Sequence, residues 1–127
     1  MRNDKDNFIV NLTFQFALNI IEFSEEPETV RKCVIANQIL RSGTSIGANV
    51  REAQNAESKG DFIRKLKIAA KEADETEYFL LLCQFSKTYP FDQSILDKLH
   101  VIIKVLSKII SSSKESFSNL QITKFSN

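Results

Sequence analysis

The chain has 127 residues, which is the size of a single domain. Its 17 basic and 16 acidic residues leave a formal net charge of +1, so a uniformly basic surface that coats nucleic acid is excluded, although a local basic patch is not. No apolar run reaches the roughly 18 residues of a membrane-spanning helix, and the first residues lack the apolar core of a signal peptide, so we expect a cytoplasmic protein without membrane contact.

The first predicted helix runs from about Asn7 to Phe23 and carries two apolar faces. A bundle helix buries only one stripe about 100° wide, so we expect the second face to contact another copy of the chain. The alternative is one wide intramolecular face that also covers loops. The inward face comprises Ile9, Leu12, Phe16, Ile20 and Phe23, and the candidate interface residues are Val10, Phe14, Leu18 and Ile21.

The second predicted helix covers roughly residues 27–56 and places polar side chains, Ser42 and Asn49, at core positions. Buried polar groups need hydrogen-bond partners, so they restrict how the helix can pack. Gly43 and Gly47 lie inside the same helix, where each glycine costs ~1 kcal/mol relative to alanine, so we expect them to permit a close helix approach or a kink. The predicted seam, with steps of four and three, is Ile35, Ile39, Ser42, Ile46, Asn49 and Ala53.

The third predicted helix begins at a capping box formed by Ser58 and Asp61 and ends near Phe85. Its first half is basic and its second half acidic, which is the reverse of what the helix dipole favours. The basic face suits phosphates or the acidic residues of a neighbouring subunit, and a solvated charged face is the remaining alternative. The candidate nucleic-acid-binding residues are Arg64, Lys67 and Lys71.

One carboxylate of the third helix, Glu77, falls at the edge of the predicted core. We expect it to be partly buried and bonded to polar groups of the second helix, with Arg41 or Asn49 as partners. The buried polar residues predicted to have a structural role are therefore Arg41, Ser42, Asn49 and Glu77.

The fourth predicted helix carries apolar residues at the same spacing from Ile95 to Ile109. Because the connections between the helices are short, neighbouring helices should be antiparallel, which predicts an all-α, up-down-up-down antiparallel four-helix bundle. We expect this domain to cover residues 1–110, and we expect the serine-rich residues 111–127 to form a frayed extension of the last helix and a flexible tail.

The sequence offers no constellation typical of catalysis or of cofactor binding. Di-metal sites in four-helix bundles need a Glu-x-x-His motif from each of two helices, and the chain has a single histidine, His100, so no metal is expected. Cys33 and Cys83 lie far apart within helical patterns and are interpreted as reduced small hydrophobes. With no predicted base beside either thiol and no glycine-rich phosphate loop, we expect neither enzymatic activity nor a cofactor.

Two blocks of residues resemble a known family. The first lies in the second predicted helix and the second in the third, and together they are distinctive. The chain is similar over roughly residues 7–110 to the bacterial four helix bundle protein family, also called the 23S rRNA-intervening-sequence protein family. The residues that carry the resemblance are Arg41, Ser42, Ser45, Ile46, Asn49, Val50, Glu52, Asp61, Phe62, Ile63, Leu66, Ile68, Ala69, Glu75, Thr76, Glu77, Tyr78 and Leu80.

The resemblance implies a compact up-down bundle that assembles as a ring-like homopentamer and has no catalytic residues. It also implies a gene placed within an intervening sequence of large-subunit ribosomal RNA or standing alone, and a relationship to the accessory protein of diversity-generating retroelements, which binds a reverse transcriptase and nucleic acid. Ala53 departs from the family, which frequently has glycine there. We therefore expect a non-enzymatic oligomeric scaffold that binds RNA or a ribonucleoprotein partner, and the alternative is a protein-only adaptor that binds no nucleic acid.

Overall fold

The protein is all-helical, as predicted. A computed structural model describes the backbone of residues 7–126 and the side chains of residues 7–115, and no strand occurs within residues 7–126. Residues 1–6 and 127, to which parts of the predicted amino terminus and tail belong, lie outside the described residues. The helices of the described part are α1 (Phe8–Glu25), α2 (Pro27–Arg31), α3 (Cys33–Ala53), α4 (Lys59–Phe85) and α5 (Gln93–Ser126).

The long helices α1 and α4 begin at capping residues. Asn7 accepts a hydrogen bond from the backbone amide of Val10 at 3.3 Å, and Ser58 accepts one from the amide of Asp61 at 3.0 Å. These bonds satisfy amides that have no partner within their own helix. The capping box predicted for the start of the third helix therefore starts α4.

The second predicted helix is divided into α2 and α3 at Lys32, so the prediction of one continuous helix was wrong. Lys32 adopts φ −105° and ψ 51°, outside the helical region. Its ammonium group lies 5.5 Å from the centroid of the Tyr89 ring, a cation–π contact that ties the junction to the loop before α5. Helix α2 starts with Pro27 in its first turn, which is the position where proline fits best.

The four long helices form a bundle in which each packs against two neighbours. Helix α1 contacts α3 and α5, and α4 contacts the same two helices, so α1 and α4 lie diagonally opposite. Contacts between α3 and α4 run in opposite chain directions: Arg41 reaches Glu72 and Glu75, whereas Glu52 pairs with Lys65. The four helices share a continuous core formed by Ile9, Phe16, Ile20, Ile39, Ile46, Val50, Leu66, Ala69, Leu80, Leu99, Ile102 and Leu106.

Two glycines of α3 allow α1 to come close. A Cβ atom on Gly43 would lie 3.0 Å from Cγ1 of Ile20, and one on Gly47 would lie 3.3 Å from the backbone oxygen of Thr13. Both distances are shorter than ordinary carbon contacts. Of the two roles predicted for these glycines, close helix approach is the one observed.

Helix α5 continues beyond residue 110, and its backbone remains helical to Ser126. Helical backbone geometry does not measure fraying. The division into a domain of residues 1–110 and a frayed segment 111–127 therefore stays a prediction.

Candidate functional site

The three predicted basic residues lie on the outer surface of α4, but their environments differ. Arg64 donates a hydrogen bond to Asp61 at 2.6 Å, and this bond is the main reason why the pKa of Asp61 lies below its ordinary value. Lys67 and Lys71 are exposed, and neither forms an ion pair with a carboxylate among the described residues. The two lysines are thus the part of this face that is available to an anion.

Lys67 has a second cation beside it. Lys114, on α5, lies near Lys67, and this neighbouring cation lowers the pKa of Lys114 from its ordinary value. Two neighbouring ammonium groups repel each other. A bound anion offsets this repulsion, and the loss of one proton removes it. The N-terminal half of α4 and the neighbouring turn of α5 therefore form a basic surface, defined here as Lys67, Lys71 and Lys114.

Of the four polar residues predicted to be buried, only Ser42 is fully buried. Its hydroxyl oxygen lies 2.8 Å from that of Thr76 on α4. Ser42 also donates to the backbone oxygen of Gln38, and Thr76 lies 2.8 Å from the backbone oxygen of Glu72. The two hydroxyl groups make three short contacts to oxygen atoms but have only two hydrogens to donate. They therefore share their hydrogens in one network that joins α3 to α4.

Arg41 is not buried, and that part of the prediction was wrong. Its side chain is 48% exposed and reaches across from α3 to Glu72 and Glu75 on α4. The hydrogen bond to Glu75 is the main reason why the pKa of Arg41 is raised. A long side chain at the flank of a helix can keep its charged end in water while it spans to the next helix, which explains why Arg41 does not enter the core.

Asn49 and Glu77 also differ from the prediction. Asn49 is half-buried, and its amide donates to the backbone oxygen of Ser45 in its own helix at 2.9 Å. Glu77 is partly buried, as predicted, but it pairs with His100 of α5 at 2.7 Å rather than with a residue of the second predicted helix. The side of α4 that carries Glu77 faces α5, so neither Arg41 nor Asn49 is its partner.

Three of the four predicted interface residues of α1 are exposed. Phe14 is 58% exposed, Leu18 39% and Ile21 38%, and they follow one another at steps of four and three on the outer face. Val10 is buried at 8% and belongs to the core, so its assignment to the outer face was wrong. It lies on the α3 side of α1, where it lines the same groove as Gly47. We call Phe14, Leu18 and Ile21 the α1 stripe.

A second exposed apolar row, which the sequence analysis missed, lies on α4. Tyr78 is 59% exposed, Leu82 42% and Phe85 81%, and we call these residues the α4 stripe. A signal for it existed: of the eight residues from Tyr78 to Phe85, only Gln84 is strongly polar, so the apolar surface exceeds one buried stripe. The α4 stripe follows the basic surface along the same outer face of the helix.

The two cysteines have different environments. Cys83 is buried, which raises the pKa of its thiol, whereas Cys33 is exposed at the start of α3. Both thiols are free, as interpreted, but Cys33 is exposed and therefore does not act as a buried small hydrophobe. Within the residues whose placement is described, no three His, Cys, Asp or Glu side chains are grouped as metal ligands would be. None of the described helices is both long and apolar enough to span a membrane.

Comparisons with known proteins agree on one family. The sequence model of the 23S rRNA-intervening sequence protein family matches residues 5–112. A crystal structure of a protein of unknown function from the S23 ribosomal protein family of Bacteroides thetaiotaomicron VPI-5482 shares 44% sequence identity, with a TM-score of 0.76 over 84% of this chain and 98% of that chain. No curated protein matches the chain.

Proposed function

Because the chain belongs to the 23S rRNA-intervening sequence protein family, we propose that it is a non-enzymatic, homo-oligomeric scaffold of the cytoplasm that binds RNA through the basic surface of α4 and α5. The observation that carries the proposal is the placement of Lys67 and Lys71, which lie one turn apart on the exposed face of α4 without a carboxylate partner among the described residues. Like charges held side by side favour a bound anion, because the anion removes their repulsion. Phosphate groups of RNA are anions of this kind, and the family name supports RNA as their source.

The charge of the chain limits how one copy can bind RNA. With a net charge of +1, a single copy offers few contacts to phosphates. Several copies that act together raise the apparent affinity through effective concentration, without any new contact. The proposal therefore includes assembly, and the ring-like homopentamer that the resemblance implies is the assembly we propose. The exposed α1 stripe supports it, since apolar surfaces of this kind usually mark interaction sites.

The test replaces Lys67 and Lys71 by glutamine and leaves Arg64 unchanged, because Arg64 is bonded to Asp61 at the start of α4. The matched control replaces Lys87 and Lys98, two exposed lysines at the opposite end of the bundle, by glutamine, whose amide can also donate the hydrogen bond that Lys98 gives to Asn19 at 2.9 Å. Both variants lose the same charge. Binding to a polyuridine oligonucleotide is measured by gel shift at several salt concentrations, and oligomer mass is measured by light scattering.

We expect the Lys67→Gln, Lys71→Gln variant to keep its oligomer mass and bind RNA more weakly. The slope of log affinity against log salt should fall by about 0.7 for each phosphate of the single-stranded RNA that the variant no longer neutralises. The control should bind as the unchanged protein does. If the double variant dissociates instead, the charges join subunits and the protein-only adaptor is the correct function; equal binding by both variants refutes the basic surface as the RNA site.

A further inference from the structure

We propose that the α4 stripe of one copy docks on the α1 stripe of the next copy, so that the chain assembles head to tail through two different surfaces. This inference rests on the proposed function, which includes a homo-oligomer but does not say which surfaces form it. The two stripes lie on the outer faces of diagonally opposite helices, whose backbones do not adjoin. A copy therefore cannot bring its own stripes together.

The stripes match in spacing. Phe14, Leu18 and Ile21 follow at steps of four and three, and Tyr78, Leu82 and Phe85 follow at the same steps in the same chain direction. Rows with this spacing form the seam between helices that cross at a small angle. When the two helices are parallel, all three pairs coincide at one register: Phe14 with Tyr78, Leu18 with Leu82, and Ile21 with Phe85.

The surfaces also match in shape. Between α1 and α3 lies a groove of about 180 Å³, lined by small side chains such as Ala17 and Ala48 and by Gly47, with Phe14 on its rim. A groove of small residues accepts a large side chain, and the α4 stripe is a ridge that starts with an aromatic ring. At the parallel register this groove receives Tyr78, whose ring packs edge-on against Phe79 with centroids 5.6 Å apart.

Charge selects the parallel register over the antiparallel one. Asp74 lies one turn before Tyr78, and Arg51 lies one turn beyond Gly47 in the wall of the groove. When Tyr78 sits above Gly47 with α4 antiparallel to α3, Asp74 falls beside Arg51, and opposite charges adjoin. When the α4 stripe instead runs antiparallel to α1, Tyr78 lies beside Ile21. Asp74 then falls beside Glu25, at the end of α1, and like charges adjoin.

A two-fold dimer would leave more apolar surface exposed to water than head-to-tail docking does. Pairing two α1 stripes would leave both α4 stripes in water, and pairing two α4 stripes would leave both α1 stripes there. Head-to-tail docking covers both stripes with one contact per copy. Such contacts close into a ring when the rotation between copies closes.

The first test uses complementary broken surfaces. Phe14→Glu disables only the α1 stripe, and Phe85→Glu disables only the α4 stripe. Each should weaken association roughly 100-fold or more, because a large apolar side chain of the contact is replaced by a charge, and each should sediment as a monomer. Phe8→Glu, at a 65% exposed position of α1 outside the stripe, is the matched control and should keep the oligomer.

An equimolar mixture of the two broken variants decides between the arrangements. Head-to-tail docking predicts that the mixture forms dimers of twice the monomer mass, because each variant keeps the surface that the other has lost. A mixture that remains monomeric, although circular dichroism shows both variants folded, overturns the docking. If only one of the two substitutions dissociates the protein, the interface is two-fold and the proposal is wrong.

The second test fixes the register by disulfide trapping in a Cys33→Ser background, which removes the exposed native thiol. Ile21→Cys combined with Phe85→Cys should give a ladder of linked multimers on oxidation. Ile21→Cys combined with Tyr78→Cys should not, because seven helical residues move the second thiol by about 10 Å, and a disulfide needs Cα atoms within about 7 Å. The opposite pattern refutes the parallel register.

These experiments contain no RNA, so their failure differs from failure of the proposed function. An unchanged protein that is already monomeric refutes both the assembly and the docking. An oligomer that survives Phe14→Glu and Phe85→Glu refutes the docking alone, and the gel shift with Lys67→Gln, Lys71→Gln still tests RNA binding.

Discussion

The close contact between α1 and α3 predicts that Gly43→Ala destabilises the bundle although alanine is the better helix former. A Cβ atom at residue 43 would lie 3.0, 3.3 and 3.5 Å from the Cγ1, Cγ2 and Cδ1 atoms of Ile20. Ile20 is fully buried and β-branched, so it has no vacant space and few rotamers to adopt. Overpacking of this kind costs about 1–3 kcal/mol.

Helix propensity acts in the opposite direction and must be separated from packing. Alanine favours a helix over glycine by up to about 1 kcal/mol. Gly60→Ala is the matched control, because a Cβ at residue 60 meets only the Ser58 hydroxyl, at 3.9 Å. We expect Gly60→Ala to leave stability unchanged or slightly raised and Gly43→Ala to unfold at a lower urea concentration. The two variants should differ in free energy of unfolding by about 1–3 kcal/mol.

A double-mutant cycle assigns this difference to one contact. The three closest atoms all lie beyond the Cβ of Ile20, so Ile20→Ala removes them. In an Ile20→Ala background, Gly43→Ala should no longer destabilise, and the coupling energy should equal the packing penalty. If Gly43→Ala stabilises the unmodified protein as much as Gly60→Ala does, α1 and α3 separate without cost and the argument from close approach is wrong.

Two other predictions concern polar contacts of α4. Ser42→Ala and Thr76→Val should each lower the free energy of unfolding by roughly 1 kcal/mol, and the double variant should lose less than the sum, because no buried hydroxyl then remains; urea unfolding of all three checks this, and strict additivity contradicts the shared network. The pKa of Asp61, which Arg64 lowers, should rise toward its ordinary value in Arg64→Ala, as measured by NMR titration. Arg64 stabilises only the ionised carboxylate of Asp61, so the contribution of this pair to stability is lost as the pH falls through the pKa of Asp61 in the folded protein. An unchanged titration of Asp61 in Arg64→Ala would refute the contact.

The sequence predicted the helices well because their apolar spacing and caps are local properties. The predictions from sequence were wrong for side chains that lie at the edge of the buried face of a helix. In α3 the predicted row of Ile35, Ser42 and Asn49 lies one residue before the row that the structure buries, which is Ala36, Gly43 and Val50. Of the predicted row only Ser42 is buried, and Ile35 and Asn49 are partly buried. Alanine and glycine are small and weakly apolar, so the sequence pattern did not distinguish their row as the core.

The errors at the candidate site have a different cause. Periodicity gives the direction of a side chain from its own helix but not the distance to the next helix. The pairing of Glu77 with His100 depends on α5, whose position relative to α4 no local pattern of α4 contains. Val10 lies on the side of α1 that faces α3, and Gly47 of α3 allows that helix to come close to the neighbouring Thr13. The α4 stripe was missed because the seam of a helix indicates its buried side and says nothing of apolar residues on the outer face.

The outer face of α4 joins the two proposals, and their combination gives a further prediction. Along this one face the basic surface comes first and the α4 stripe follows, so docking of the stripe would hold the basic surfaces of successive copies in a fixed, repeated arrangement. RNA affinity should then depend on Phe14, although Phe14 lies on the helix diagonally opposite. Phe14→Glu leaves Lys67 and Lys71 unchanged, yet loss of avidity should weaken polyuridine binding by about 100-fold or more. Phe8→Glu, with the same added charge on the same helix, should bind as the unchanged protein does. A Phe14→Glu monomer that binds RNA as tightly as the oligomer would show that a single copy suffices, and assembly would then need another role.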